Sequence, residues 1–511
     1  MTTDNKSNNK RIIKNTIALY IRMLLQMFIG LYTSRIILNA LGVEDYGIYN
    51  VVGSVTTMLT FINSSMSNAT MRFITFELGK NDIIKQNKIF CVALNIHVII
   101  AIITFILLET AGVWFLYYKM VIPFDRINAA FIVLQLSILT CIISIISVPY
   151  DASIIAHEKM KAFAYISLSQ SVLTLLLALI LPFYTGDKLI LYAIFIMIIQ
   201  FIIRIIYGAY CKRHFSETRY KFIWDKQLTK DIASFAGWTM NGNIAWLGYT
   251  QGLNILINMF TGPAANAARG IAFTVQSKII GFCDSFQTAV KPQITKTYAN
   301  NELGRMHSLI LMSSKYSFYL LLILSLPIYI CTENILKWWL KIVPEHSVEF
   351  IRIILLCSII DVLRNPINSA IHATGNIKVF QLIEATTLLL IVPFSYIVLK
   401  LGFDVTSVFI VQLIIFIIAQ IERIFIVCPR IKMPKQLYIK LLLKPMILVT
   451  ISSIIIPFIF LLIWPLSNSL YQSIFYILLS IFSTIISIYL VGLNKKEKNK
   501  VFIFIKNKIK K

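Results

Sequence analysis

The chain has 511 residues, of which 58% are hydrophobic and 14% charged, with a mean hydropathy of +0.76. A soluble protein carries about a quarter charged residues, so this composition excludes a soluble globular enzyme and indicates an integral membrane protein. The net charge of +25 would suggest nucleic acid in a soluble chain, but in a membrane protein basic residues collect in cytoplasmic loops, and no nucleic-acid partner is expected.

The polar, basic start MTTDNKSNNKRIIKN leads into an apolar run too long for a signal-peptide core, and it is read as preceding a retained first span. A helix needs about 20 apolar residues to cross the hydrocarbon. Windows of that length mark fourteen spans, near 16–40, 47–75, 89–118, 127–149, 162–184, 189–211, 232–260, 265–290, 308–331, 348–372, 378–400, 405–428, 439–464 and 469–493. The first carries a polar stripe of Asn15, Arg22, Gln26 and Thr33, with Arg35 on roughly the opposite face. SRIILNALGVEDYGIYNVV (34–52) reads as the outer end of that span, a tight turn permitted by Gly42 and Gly47, and the start of the next. In the second span Asn50, Thr57, Ser64, Asn68, Arg72 and Thr75 fall within roughly one 60° arc, with Ser54 and Ser65 at its edge. The sixth span holds Arg204. The eighth has a stripe of Arg269, Gln276, Asp284, Gln287 and Lys291, with Lys278 off it.

A charge inside a span costs at least ~2.5 kcal/mol on insertion scales, so such residues usually face water or a partner. One reading is a cationic, water-filled cavity for an anionic cargo. The other is polar glue between helices, which Ser, Thr and Asn often provide. The cavity is the expectation for Arg22, Arg72, Arg204 and Lys291, and glue for the hydroxyls and Asn. Candidate cargo-binding residues are those four with Arg35, Arg269, Lys278, Asn68 and Gln287. Asp361 and Arg364, three apart, could pair on one helix face, while Glu109, Glu384 and Glu422 read as structural or interfacial. His97 on an apolar helix reads as satisfied by a neighbour. The seven cysteines form no CxxC, and the chain shows no metal-ligand spacing, no GxxxxGK[ST] and no GxSxG. No catalytic residue, cofactor or metal is expected.

With the N-terminus in the cytoplasm, the inside segments hold 34 Lys and Arg and the outside segments 8. This asymmetry supports an even number of spans with both termini inside. The basic tail KKEKNKVFIFIKNKIKK then reads as an amphipathic end on the anionic inner leaflet. The chain also repeats. At an offset of 219, residues 39–82 lie over 258–301, matching Asn39 with Asn258 and Arg72 with Lys291. At 217, PYDASIIAHEKMKAF (149–163) lies over PINSAIHATGNIKVF (366–380). Six spans separate the copies, so the repeat is parallel, about an axis normal to the membrane, as in several transporters.

LGVEDYGIYNVVGS, the polar second span ending MRFITFELGKND, and PYDASIIAHEKMKAF after the fourth span resemble the bacterial Wzx-type polysaccharide flippases of the MOP (MATE-like) exporter superfamily. The resemblance implies an all-α polytopic membrane protein with two six-helix lobes around a central cationic cavity, here 12–211 and 231–428. A cytoplasmic loop (212–230) would join them, followed by two extra C-terminal helices (436–493) and a basic tail (494–511). It implies translocation of an undecaprenyl-pyrophosphate-linked oligosaccharide across the bacterial inner membrane by alternating access, with Arg22, Arg72 and Lys291 among the cavity cations. A polymerase and a chain-length regulator of the pathway would be partners. Related cation-coupled drug exporters often use an acidic residue in the first span, and this chain has none before Glu44. Rival readings are a membrane glycosyltransferase or polymerase using Glu44–Asp45, an exporter of peptidoglycan precursor or drugs, and a scaffold for the polymer machinery.

Overall fold

The computed structural model describes residues 3–499 apart from 58, 59, 81, 119, 121, 262, 341, 342 and 496. The side chains of Glu44, Asn50, Ser54 and Thr57, and the basic tail from residue 500 on, lie outside the described residues. Every described element is helical. The chain divides into two compact units, Met1–Asn243 with Thr295–Asn301, and Ile244–Ile294 with Glu302–Lys511.

The first unit contains α1 (Thr3–Thr57), α2 (Thr60–Lys80), α3 (Ile83–Leu107), α4 (Val113–Tyr118), α5 (Ile127–Ala156), α6 (Met160–Ile180) and α7 (Lys188–His214). It also takes the first part of α8 (Lys226–Thr261) and the end of α9 (Pro263–Ala299). The expected turn near residues 42–47 is shorter than a loop. Helix runs up to Gly42 and resumes directly after it, and Gly42 alone leaves helical geometry at φ 78 and ψ 171. A Cβ disfavours that backbone, so glycine is the residue that permits an abrupt kink here. Just beyond it, Asp45 accepts from Arg126 Nε at 2.9 Å, and Arg126 Nη1 donates to Asp187 at 2.8 Å. Asp187 also caps α7 by accepting from the Leu189 and Ile190 amides at 3.0 and 3.2 Å. One arginine thus ties the kink to the starts of α5 and α7, and the Asp45 carboxylate is engaged in a structural ion pair. Below this knot α1, α5, α6 and α7 enclose a core of Ile37, Ile154, Leu177, Ile203 and Cys211, and Tyr49 meets Tyr192 edge-on at 4.7 Å.

The second unit holds the remainder of α8 and α9 with α10 (Leu303–Ile330), α11 (Thr332–Trp339), α12 (Ser347–Asp361), α13 (Arg364–Thr374), α14 (Lys378–Leu389), α15 (Ile391–Lys400), α16 (Ser407–Arg430), α17 (Lys435–Tyr438), α18 (Lys444–Ile463) and α19 (Leu470–Ser487). Ser473, Ser480, Ser483 and Thr484 line the buried face of α19, and Ser483 Oγ donates to Ser453 O of α18 at 2.8 Å. Small polar residues let two membrane helices approach closely.

Among the described residues ten helices are long and apolar enough to cross a membrane. They coincide with ten of the fourteen windows. The described residues of the windows at 47–75, 232–260 and 265–290 are helical as well, but these windows are too polar for that criterion or run across undescribed residues, and the window at 348–372 is broken at Val362–Leu363 between α12 and α13. The repeat at offset 217 has a backbone counterpart. Glu158, between α5 and α6, has φ 59, and Gly375, between α13 and α14, has φ 80. Ile154 and Ala156 before the first turn, and Ile371 and Ala373 before the second, are fully buried.

Candidate functional site

The polar stripe of α1 lies against α6. Asn15 Nδ2 donates to Glu158 O at 3.1 Å, the Arg22 guanidinium sits 4.9 Å from the Phe163 ring, and Gln26 Nε2 donates to Ser167 O and Ser171 Oγ at 3.2 and 3.3 Å. These bonds are polar glue of the kind considered for the stripe. Arg22 is half-buried, and its Nε, like Thr33 Oγ1, has no hydrogen-bond partner among the described residues.

Arg72 of α2 is enclosed by aromatic rings. Its guanidinium lies 4.6 Å from Phe73, 5.0 Å from Phe76 and 5.7 Å from Phe235, the last contributed by the part of α8 that belongs to the first unit. Tyr298 at the end of α9 packs on Phe76 at 6.5 Å. Cation–π stacking uses the face of the guanidinium, whereas oxyanions are bound along its N–H edge. On the same helix Ser64 and Ser65 accept from Asn243 Nδ2 at 3.1 and 2.8 Å, and Asn68 is half-buried. Arg204 of α7 stacks on Tyr150 at 3.9 Å, with room made by Gly208, where a Cβ would come within 2.9 Å of Arg204 Nη1. Arg35 is exposed.

In the second unit the α9 stripe also binds neighbouring helices. Arg269, the first residue of that stripe, is buried in α9. It donates to Thr250 O at 2.8 Å and to Asn254 Oδ1, and stacks on Phe273 at 4.3 Å. Gln276 donates to Ser358 Oγ and Gln287 to Val362 O, both at 2.9 Å, and Asn365 donates to Asp284 at 3.0 Å. Lys291 is half-buried and Lys278 is exposed. Asp361 and Arg364 pair at 3.3 Å, as their spacing indicated. His97 is satisfied at one ring nitrogen within its own helix, Nδ1 lying 2.7 Å from Ala93 O, while its buried Nε2 has no partner among the described residues.

Sequence reasoning missed three arrangements. The rings around Arg72 come from positions that looked like ordinary apolar residues. The Asp45–Arg126–Asp187 knot joins residues 81 and 61 apart. Arg423 of α16 forms a buried pair with Glu384 of α14, its Nη2 2.7 Å from Oε1. An arginine inside an apolar window, near its end, was the available signal for that pair. Among the described residues no group of His, Cys, Asp and Glu is placed to hold a metal.

An all-helical, multi-pass fold with paired and stacked charges inside its helices is the architecture of a polytopic membrane protein. Solved structures share it at low identity. An outward-facing multidrug resistance MATE family transporter of the MOP superfamily matches with a TM-score of 0.73 at 15% identity, over 83% of this chain and 96% of that one. A MATE in a bent conformation matches at 0.74 and 14%, with the same coverage. A MOP superfamily transporter from Pyrococcus furiosus, described as having a binding pocket of reversed polarity, matches at 0.70 and 15%, again over 83% and 96%. Residues 240–397 also match the MatE family, and no curated protein matches the chain. Residues 12–298 match the family described as polysaccharide biosynthesis protein, more than half the chain, and the protein belongs to that family.

Proposed function

We propose that the chain is a flippase that moves an undecaprenyl-pyrophosphate-linked oligosaccharide unit from the inner to the outer leaflet of a bacterial cytoplasmic membrane by alternating access, for surface polysaccharide assembly. The observation that carries the reading is the family match over 12–298, which takes in Arg22, Arg72, Arg204 and Lys291. A pyrophosphate cannot cross hydrocarbon bare, and arginine binds phosphate oxygens bidentately. Arg72, a guanidinium stacked on aromatic rings, and Arg22, whose Nε has no hydrogen-bond partner among the described residues, are the groups assigned to it. Polar groups of the same helices would meet the sugars, and the prenyl tail would stay in lipid. Outward movement of negative charge runs down an inside-negative potential, worth ~2.3 kcal/mol per charge per 100 mV. The excess of Lys and Arg in alternate loops supports cytoplasmic termini. A polymerase and a chain-length regulator would take the product onward.

The test is surface display of polysaccharide in a bacterium lacking its own flippase. Expression of this chain restores display, and Arg72→Ala removes most of it. The MatE match over 240–397 favours drug export as a second reading. Raised drug tolerance of the same strain, with no restored display, would establish that reading instead.

A further inference from the structure

The connector between α7 and α8 is strapped along α3. After a short turn at Ser216–Thr218, residues 219–225 run without helix to the start of α8. Asn87 Nδ2 donates to Glu217 O at 2.7 Å and Arg219 O at 2.8 Å, the Lys221 amide donates to Cys91 Sγ at 3.3 Å, and Asn95 Nδ2 donates to Ile223 O at 2.9 Å. Tyr220 Oη donates to Asn95 Oδ1 at 2.9 Å. Asn87, Cys91 and Asn95 are four residues apart and share one face of α3. Eight residues of helix rise ~12 Å, so the strap reaches that far along α3, toward Val98 and Ile99, which are exposed as lipid-facing residues are.

Both acidic groups of the strap are paired. Glu217 is buried and bonded to His157, whose ring stacks on Phe215 at 3.9 Å. Asp225 pairs with Lys88 and caps α8 by accepting from the Leu228 amide at 2.8 Å. Burial pushes the Glu217 carboxyl up, but the bond and charge of His157 together with a backbone hydrogen bond outweigh it and hold the group below its ordinary range. The Leu228 amide, then Lys88, do the same for Asp225. Residues 219–226 therefore present cations and rings outward. Arg219, Lys221 and Lys226 are exposed, and Tyr220, Phe222 and Trp224 are 49%, 77% and 54% exposed.

We propose that residues 219–226 form a docking surface for anionic lipid headgroups, with Arg219, Lys221 and Lys226 taking the phosphates and Phe222 and Trp224 seated at the boundary between headgroups and acyl chains. Amphipathic rings favour that boundary, basic side chains reach from it to phosphate, and anionic leaflets attract basic segments. Lipid is the occupant because the strap is continuous with the lipid-facing residues of α3 and its outward charge is of one sign. On the orientation proposed above this is the cytoplasmic leaflet. The surface does not depend on which cargo is carried.

The test uses the full-length protein in liposomes containing brominated phosphatidylglycerol or brominated phosphatidylcholine. The Trp224 signal is the wild-type fluorescence less that of Trp224→Phe. Trp224 is expected to be quenched by both lipids, and by the phosphatidylglycerol at least about twofold more, as three cations near an anionic surface require. Joint replacement Arg219→Gln, Lys221→Gln and Lys226→Gln should equalise the two, and native mass spectrometry should count fewer bound phosphatidylglycerols on that variant. Equal quenching of the wild type by both lipids would overturn the proposal. So would no quenching by either, which would mean that water or a protein partner covers the strap.

Discussion

Arg72 and Arg269 raise the same question in the sequence, a cation within a polar stripe, and the structure treats them differently. Arg269 has two oxygen partners on α8 and a ring below it, an arrangement that holds α8 to α9. Arg72 has rings on its face. We predict that Arg269→Ala lowers the melting temperature in detergent, since a hydrogen bond to a charged group contributes about 1.5–3 kcal/mol. Arg72→Ala should cut transport by roughly tenfold or more, with Arg72→Lys intermediate because a point charge replaces a planar fork. Arg423 and Glu384 provide a contrasting case. Glu384→Gln leaves a buried guanidinium without its counter-charge and should destabilise by about 3–5 kcal/mol, whereas replacing both with methionine should recover most of that loss. Thermal unfolding of the three variants checks the pair.

At the scale of elements, the kink at Gly42 and the arginine knot beside it fix how the first helices turn. Gly42→Val places a branched side chain at φ 78 and should cost more than the ~1 kcal/mol typical of a left-handed non-glycine residue; a lower melting temperature would register it. The knot is pH-dependent. Burial tends to raise the Asp187 carboxyl, but its bonds from Arg126 and the Ile190 and Leu189 amides outweigh this and hold it below its ordinary value. A depressed carboxylate contributes stability that is complete above the unfolded value near ~4 and is lost as pH falls through the folded one. Melting temperature should therefore fall more steeply below about pH 4 in the wild type than in Asp187→Asn. Much of this was legible in the chain. Apolar length located the helices, and the offset of 217 located two turns that share a left-handed residue. The partners of the stripes were not legible. A spacing of three, four and seven says which residues share a face, but not whether that face meets water, lipid or another helix. Asn15, Gln26 and Gln287 proved to bond across to neighbouring helices and turns, and only the fold could show it.

For the whole molecule, composition alone placed the chain in a membrane, and family membership gives it a transporter's architecture. The compact units divide α8 and α9 within their length. Asn243 bonds to Ser64 and Ser65 of α2, and Lys296 pairs with Glu158 at 2.9 Å, so the start of α8 and the end of α9 fold with the first unit. No periodicity announces such a division, because it arises from contacts between residues more than a hundred apart. The central claim is that this chain moves a pyrophosphate-linked oligosaccharide across the bilayer. The most direct measurement is translocation of a labelled undecaprenyl-pyrophosphate oligosaccharide by the purified protein in proteoliposomes under an imposed potential. The account predicts translocation that quickens as the potential favours movement of negative charge, and a roughly tenfold slower rate in Arg72→Ala. No translocation by the wild-type protein at any potential, in vesicles where it is folded and correctly inserted, would contradict it.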